Sequence, residues 1–258
     1  MILIIDVGNT NIVIGLHEGN AIMHSWRLWT LRNRTSDELG LMLSQLLESA
    51  NINMRQIEGI AIACVVPPLN IAFKEMSSKY FHCTPFIIEP GIKTGIPIIY
   101  DNPKEIGADR IVNAVAAFKE YGAPAVVIDF GTATTFDVIS EKGEYIGGVI
   151  APGIIISSEA LFQYAARLPR VEIADPKTVI GKNTITAMQA GIFYGYIGLV
   201  NEIASRIVKE LNKECKFIAT GGLAEMVAPY CQCNPVIDLD LTLKGIKLLY
   251  ELNRTKNE

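Results

Sequence analysis

The stretch Asp6-Val7-Gly8-Asn9-Thr10-Asn11, DVGNTN, stands between two apolar runs, Ile2 to Ile5 and Ile12 to Leu16. Gly and Asn are what a tight hairpin between two strands asks for where φ must be positive. They also suit a turn that holds phosphate, because small side chains let backbone N–H groups approach anionic oxygens. The six residues alone admit both readings. The rest of the chain separates them, since the pattern returns. Asp129-Phe130-Gly131-Thr132-Ala133 again closes a buried-type apolar run, AVVIDF at Ala125 to Phe130, and again precedes a strand-like segment. D-x-G-[NT] thus sits at the same point of two units, a repeat near half the chain length and too long for a solenoid.

Working outward, the first half reads as three strands (Ile2 to Ile5, Ile12 to Leu16, Ala21 to Leu28), a helix, a strand at GIAIACVV, a helix and a strand at Phe86. The first helix is expected from Ser36 to Ala50. Thr35 and Glu38 stand at capping-box spacing, and Leu39, Leu43, Leu46, Leu47 and Ala50 recur on one face. The second half follows with strands at Ala125, after Gly131 and at EYIGGVI, then helices, the strand KFIAT and a final helix. Two duplicated α/β domains, 1–118 and 119–258, facing one another across a cleft, are the expected organisation. Clefts between domains are preferred ligand sites. A third glycine turn, ATGGLA at Ala219, lies after a strand and before a helix, where N–H groups can meet a nucleotide. The three turns in this order favour the phosphate-holding reading.

A chain of 258 residues, half of them hydrophobic, can bury a sizeable core without disulfides. A net charge of -4 excludes the basic footprint of a nucleic-acid protein, and Arg27, Arg32 and Arg34 read as a solvated loop. Five cysteines without zinc spacing, behind an opening strand rather than a signal peptide, fit a cytoplasmic protein. Cys231 and Cys233 read as incidental thiols, and His17, His24 and His82 as structural or exposed. The longest apolar stretch, Ala190 to Val200, is too short for a membrane span and carries Gly191, Gly195 and Gly198 near one helix face. It reads as a buried or interface helix. The apolar residues Ile192, Phe193, Ile197 and Leu199, with close-approach glycines among them, point to a homodimer.

The order of elements and turns resembles the superfamily of actin, hexokinase, acetate kinase and the heat-shock ATPases, which implies duplicated ribonuclease-H-like (actin-like ATPase) domains. More narrowly, DVGNTN, GADR at Gly107 to Arg110, DFGTATTFD at Asp129 to Asp137 and GGVIAPG at Gly147 to Gly153 resemble type III pantothenate kinase over essentially the whole chain. Cys64 in CVVP, where that family often has serine, is a minor difference.

The resemblance implies transfer of the ATP γ-phosphate to the primary hydroxyl of pantothenate, the opening step of coenzyme A synthesis. It places ATP phosphates and Mg²⁺ at Asp6, Val7, Gly8, Asn9, Thr10, Asn11, Ile12 and Val13, with Asp6 acting through metal-bound water. Asp129 corresponds to the ligand of a required monovalent cation, potassium or ammonium, with Thr132 beside ATP. Pantothenate is expected at Tyr100, at Gly107, Ala108, Asp109 and Arg110, and at Thr184 of a neighbouring subunit, with Asp109 as proton acceptor. These residue types suit the chemistry. Phosphoryl transfer relies on positioning and charge neutralisation, so a carboxylate within reach of the hydroxyl is base enough. Two carboxylates near a triphosphate need cations between them. The rival readings are another small-molecule kinase of the superfamily and a nucleotide-binding transcription accessory protein. The presence of Asp109 favours the enzyme.

Overall fold

The computed structural model describes residues 1–19 and 21–254. Its first half forms β1 (Ile2–Val7), β2 (Asn11–Glu18), β3 (Ala21–Trp29), α1 (Ser36–Ser49), β4 (Gly59–Cys64), α2 (Pro67–Phe81), β5 (Phe86–Ile87) and α3 (Ala108–Tyr121). The second forms β6 (Ala125–Phe130), β7 (Ala133–Ile139), β8 (Tyr145–Pro152), α4 (Ile154–Tyr164), α5 (Thr184–Leu211), β9 (Lys216–Thr220), α6 (Ala224–Val227), β10 (Val236–Ile237) and α7 (Leu241–Asn253). The strands make two five-stranded sheets, ordered β3-β2-β1-β4-β5 and β8-β7-β6-β9-β10. In each, three antiparallel strands are followed by two parallel ones. The repeat read from D-x-G is therefore a duplication of topology, strand for strand.

Local signals set the elements. Thr35 Oγ1 accepts the Glu38 N–H at 3.2 Å while Glu38 Oε2 accepts the Thr35 N–H at 2.7 Å, so the capping box starts α1 as expected. Leu39, Leu43 and Leu47 of that helix are buried, and they join Leu3, Ile5, Val7, Ile12 and Ile14 in one core. Each such side chain contributes about 1.5–3 kcal/mol on leaving water. Gly40 lets the Tyr80 ring of α2 lie directly on α1, with the Tyr80 hydroxyl donating to Asp37 at 2.8 Å.

The chain divides into two compact units. One comprises Met1–Pro97, Asp101–Ala116 and the segment from Asp240 onward; the other comprises Ile98–Tyr100 and Ala117–Leu239. A cut between 118 and 119 lies two residues from the division inside α3, but α7 departs from the expected assignment to the second half. Its neighbours explain why. A Cβ at Gly15 would approach Leu243 Cδ1 to 2.9 Å, a Cβ at Gly59 would strike Tyr250, and one at Gly245 would strike the Val112 backbone. Strand β1 has an apolar second face that α1 and α2 leave bare, and α7 covers it with Leu243, Ile246 and Leu249.

The expectation for α5 needs correction. Ile192, Phe193 and Ile197 are buried in the second unit's own core beside Val126, Ile128 and Phe136, and Leu199 is partly buried against it. They are not free for a partner. Gly191, Gly195 and Gly198 line the opposite, exposed side of the helix, where an added Cβ would meet nothing within 4 Å.

Among the histidines, His24 stacks on Trp26 at 5.5 Å, and His82 caps α2 in the left-handed conformation. His17 is buried with neither ring nitrogen hydrogen-bonded.

Candidate active site

In the first unit, Asp6 lies half-buried near the end of β1, paired with Val13 across a true β-hairpin. The hairpin reading of DVGNTN is thus met. The Gly8 N–H donates to the Asn11 carbonyl at 2.9 Å and closes the turn. The expectation of positive φ does not hold, since none of the residues from Gly8 to Asn11 is in the left-handed region. Gly8 instead eases a tight spot, since a Cβ there would lie 3.1 Å from the Asn11 oxygen and the turn would have to give by a few tenths of an ångström. Thr30 ties the turn from outside: its hydroxyl donates to the Gly8 carbonyl at 2.7 Å and its N–H to the Thr10 carbonyl at 2.9 Å. Arg32, read as part of a solvated loop, is exposed and also donates to Asn9 Oδ1 at 3.4 Å. Cys64 follows on the neighbouring strand, paired with Val7, and burial pushes its thiol pKa up, with the Asp6 charge adding to the effect. It is consequently a poor nucleophile.

GADR forms the start of α3. Asp109 Oδ1 accepts the Arg110 N–H at 2.9 Å, which folds the carboxylate back over the helix N-terminus. Only glycine at position 107 leaves room for it, since a Cβ there would collide with the same oxygen. Burial raises the Asp109 carboxyl pKa, opposed by that N–H and by the Arg110 charge. A carboxylate so shifted is a better proton acceptor than an ordinary aspartate. Arg110 is only 7 % exposed.

In the second unit, Asp129 occupies the same strand position as Asp6 and pairs with Thr135. Its turn is one residue tighter, closed by the Gly131 N–H to the Ala133 carbonyl at 3.2 Å. Two glycines from distant motifs frame it. Gly221 of ATGGLA, at φ +92°, lies so close that a Cβ would collide with Asp129 Oδ1 and fall 2.7 Å from the Phe130 nitrogen. Gly153 of GGVIAPG lies under Gly131 and Thr132, where a Cβ would be 2.7 Å from the Gly131 oxygen. Thr132 itself is exposed. Tyr100 is 36 % exposed, with its ring 6.1 Å from that of Tyr145. Thr184 is the first residue of α5, exposed, after the Asn183 cap. It borders a hollow of about 590 Å³ lined also by Leu161, Leu168 and Met188.

The expected site residues therefore fall on both units. Asp6 to Val13 and Gly107 to Arg110 belong to the first; Tyr100, Asp129, Thr132 and Thr184 belong to the second. The sequence shows the three turns but not the contacts of Gly153 and Gly221 with the Asp129 turn, nor the tie of Thr30 to the first turn. The glycines were visible as motif letters; their partners were not.

Among the described residues no three His, Cys, Asp or Glu side chains converge as a metal cage. A single carboxylate at each turn is the donor set of a cation held largely by water and phosphate oxygens rather than by a cage of side chains. Cys231 and Cys233 are free thiols within hydrogen-bond reach of each other, an arrangement that pushes the Cys231 pKa up and the Cys233 pKa down.

Two sheets of order 3-2-1-4-5, each with an aspartate at its first hairpin, are the duplicated actin-like fold. Solved structures agree on the fold. A Campylobacter jejuni protein assigned to the Baf family of transcriptional activators superposes with TM-score 0.61 at 22% identity, covering 96% of this chain and 97% of its own. The inorganic polyphosphate/ATP-glucomannokinase of Arthrobacter sp. strain KM gives 0.51 at 16% identity, covering 97% and 98%. Within the class the chain belongs to the type III pantothenate kinase family, whose pattern matches residues 2–206. The type III pantothenate kinase of Halalkalibacterium halodurans is 54% identical over 253 residues, 98% of this chain and 100% of that protein.

Proposed function

We propose that this protein is an ATP-dependent pantothenate kinase, transferring the γ-phosphate to the primary hydroxyl of pantothenate and so opening coenzyme A synthesis. The observation that carries the reading is Asp109: a carboxylate of raised pKa held at a helix start by GADR, in a chain of this family. In the reaction the substrate hydroxyl oxygen bonds to the γ-phosphorus, the bond from that phosphorus to ADP breaks, and Asp109 takes the hydroxyl proton. Arg110, Gly107, Ala108 and Tyr100 hold the acceptor.

The turn Asp6 to Val13 holds the phosphates, and Thr132 lies against ATP. Asp6 would hold Mg²⁺ through water, and Asp129 potassium or ammonium. These ions supply positive charge against the triphosphate. The enzyme works in the cytoplasm; no described helix is long and apolar enough to cross a membrane.

We further infer a homodimer in which Thr184 completes the neighbouring acceptor pocket. The support is now the open glycine stripe of α5 together with exposed Ile155, Ile156, Tyr164 and Ile180, rather than the buried residues of α5. Sedimentation of a fully active monomer would remove this part. The alternative, a nucleotide-binding transcription accessory protein, draws on the Campylobacter relative's assignment alone.

The test incubates the protein with ATP, Mg²⁺ and pantothenate, in potassium or in sodium alone, and reads phosphopantothenate by mass. Product only with potassium supports both activity and cation. Absence of product in either salt, with acetate and hexoses also inert, would favour the regulator.

A further inference from the structure

The segment Ile98–Tyr100 belongs to the second unit although the residues on both sides of it belong to the first. Tyr145 holds it there. Ile98 bridges to Tyr145, the Ile99 N–H donates to the Tyr145 carbonyl at 2.8 Å, and the two tyrosine rings stand 6.1 Å apart, tilted by 41°. Gly147 at φ +113° passes beneath the Tyr100 ring, 3.6 Å from it at its Cβ position.

Tyr145 is 0 % exposed, and its hydroxyl donates to Asp137 Oδ1 at 3.0 Å. The other oxygen of Asp137 accepts the Thr135 hydroxyl at 3.1 Å. Thr135 is the cross-strand neighbour of Asp129, so the line of contacts runs along one face of the sheet from the Asp129 turn to Tyr100. The β7–β8 register slips between Val138 and Ile139, beside this line. Asp137 is also 0 % exposed. A wholly buried carboxylate is expensive in a strand where valine or threonine would pack at no such cost, and it is retained only with its oxygens hydrogen-bonded.

We propose that Asp137 and Tyr145 are positioning residues for the acceptor substrate: Asp137 fixes the Tyr145 ring, and Tyr145 fixes Tyr100 at the angle at which it meets pantothenate. The inference rests on the assignment of Tyr100 to the acceptor pocket.

The test measures steady-state constants for both substrates in Tyr145→Phe, Asp137→Asn, Tyr100→Ala and the double variant Tyr145→Phe/Tyr100→Ala, each checked for folding by thermal melting. Tyr145→Phe keeps the buried ring and Asp137→Asn keeps the side-chain shape, so either supplies the reading if the other does not fold. The KM for pantothenate should rise roughly three- to tenfold in each single variant, with KM for ATP and kcat within about twofold. The double variant should match Tyr100→Ala alone, because a residue acting through another adds nothing once that other is gone. An unchanged pantothenate KM in the folded Tyr145→Phe and Asp137→Asn variants, a parallel rise for both substrates, or additivity in the double variant would overturn the proposal. If Tyr100→Ala itself leaves the pantothenate KM untouched, the assignment of Tyr100 fails and the inference falls with it. If Tyr100→Ala raises it and the other two do not, only the inference falls.

Discussion

Gly221→Ala tests how the second unit holds its aspartate. The substitution carries two separable costs. At φ +92° an L side chain is strained, by about 1–2 kcal/mol. The new Cβ would also stand 2.7 Å from the Phe130 nitrogen and 2.8 Å from its carbonyl carbon, closer than backbone atoms tolerate. Forcing such an overlap costs typically about 1–3 kcal/mol. The sum is about 2–5 kcal/mol, and for a chain of this size each kcal/mol lowers Tm by about 2–4 °C. Gly122→Ala separates the costs, because Gly122 has φ +80° and open space where its Cβ would go. Gly122→Ala should lose only the backbone part.

Thermal melting of both variants should therefore place Gly221→Ala clearly below Gly122→Ala. The same Cβ collides with Asp129 Oδ1, so the carboxylate must turn away. Below its melting range Gly221→Ala should need more potassium for half-maximal rate at saturating pantothenate. Melting within about 2 °C of Gly122→Ala, less than 1 kcal/mol on this scale, together with a wild-type potassium curve would refute the steric reasoning.

Asp109→Asn should fold and bind ATP while turnover falls roughly 10²-fold, the scale of lost general-base assistance; near-normal turnover would remove Asp109 from the mechanism. Because burial raises its pKa, kcat/KM for pantothenate should fall on acidification through that raised value, at a higher pH than an ordinary aspartate would give, as its pH profile, which reports the free enzyme, will read. Asp129→Ala should flatten the potassium activation curve more than it changes the KM for pantothenate, and retention of the wild-type curve would place the cation elsewhere.

Burial lowers the His17 pKa below the ordinary histidine value of 6.5, with the Lys247 charge adding to it and Asp240 and Glu251 opposing. The folded chain then binds fewer protons at this site than the unfolded chain, so stability should fall as pH drops through 6.5 toward the folded pKa. His17→Met should flatten that part of the urea-midpoint profile, and an equal slope in both proteins would show that His17 is not its source.

Turn chemistry, caps and periodicity depend on a few adjacent residues, and what they control was legible in the letters. The Thr35–Glu38 box, the strand carrying Asp6 near its end, its repeat at Asp129 and the resulting duplication all belong there. Tertiary structure decided what depends on groups far apart in the chain. The second apolar face of β1 drew α7 away from the half in which it lies by sequence. The α5 residues Ile192, Phe193 and Ile197 carry the same apolar letters whether they face their own sheet or a partner, and only the position of the sheet selected the first. Gly221 reads as a turn glycine in any context; it is the adjacency of β9 to β6 that sets it against the Asp129 carboxylate. Asp137 shows the same limit: in a strand it looks like an interruption, and becomes a positioned carboxylate only because the β7–β8 pairing brings the Tyr145 hydroxyl onto it.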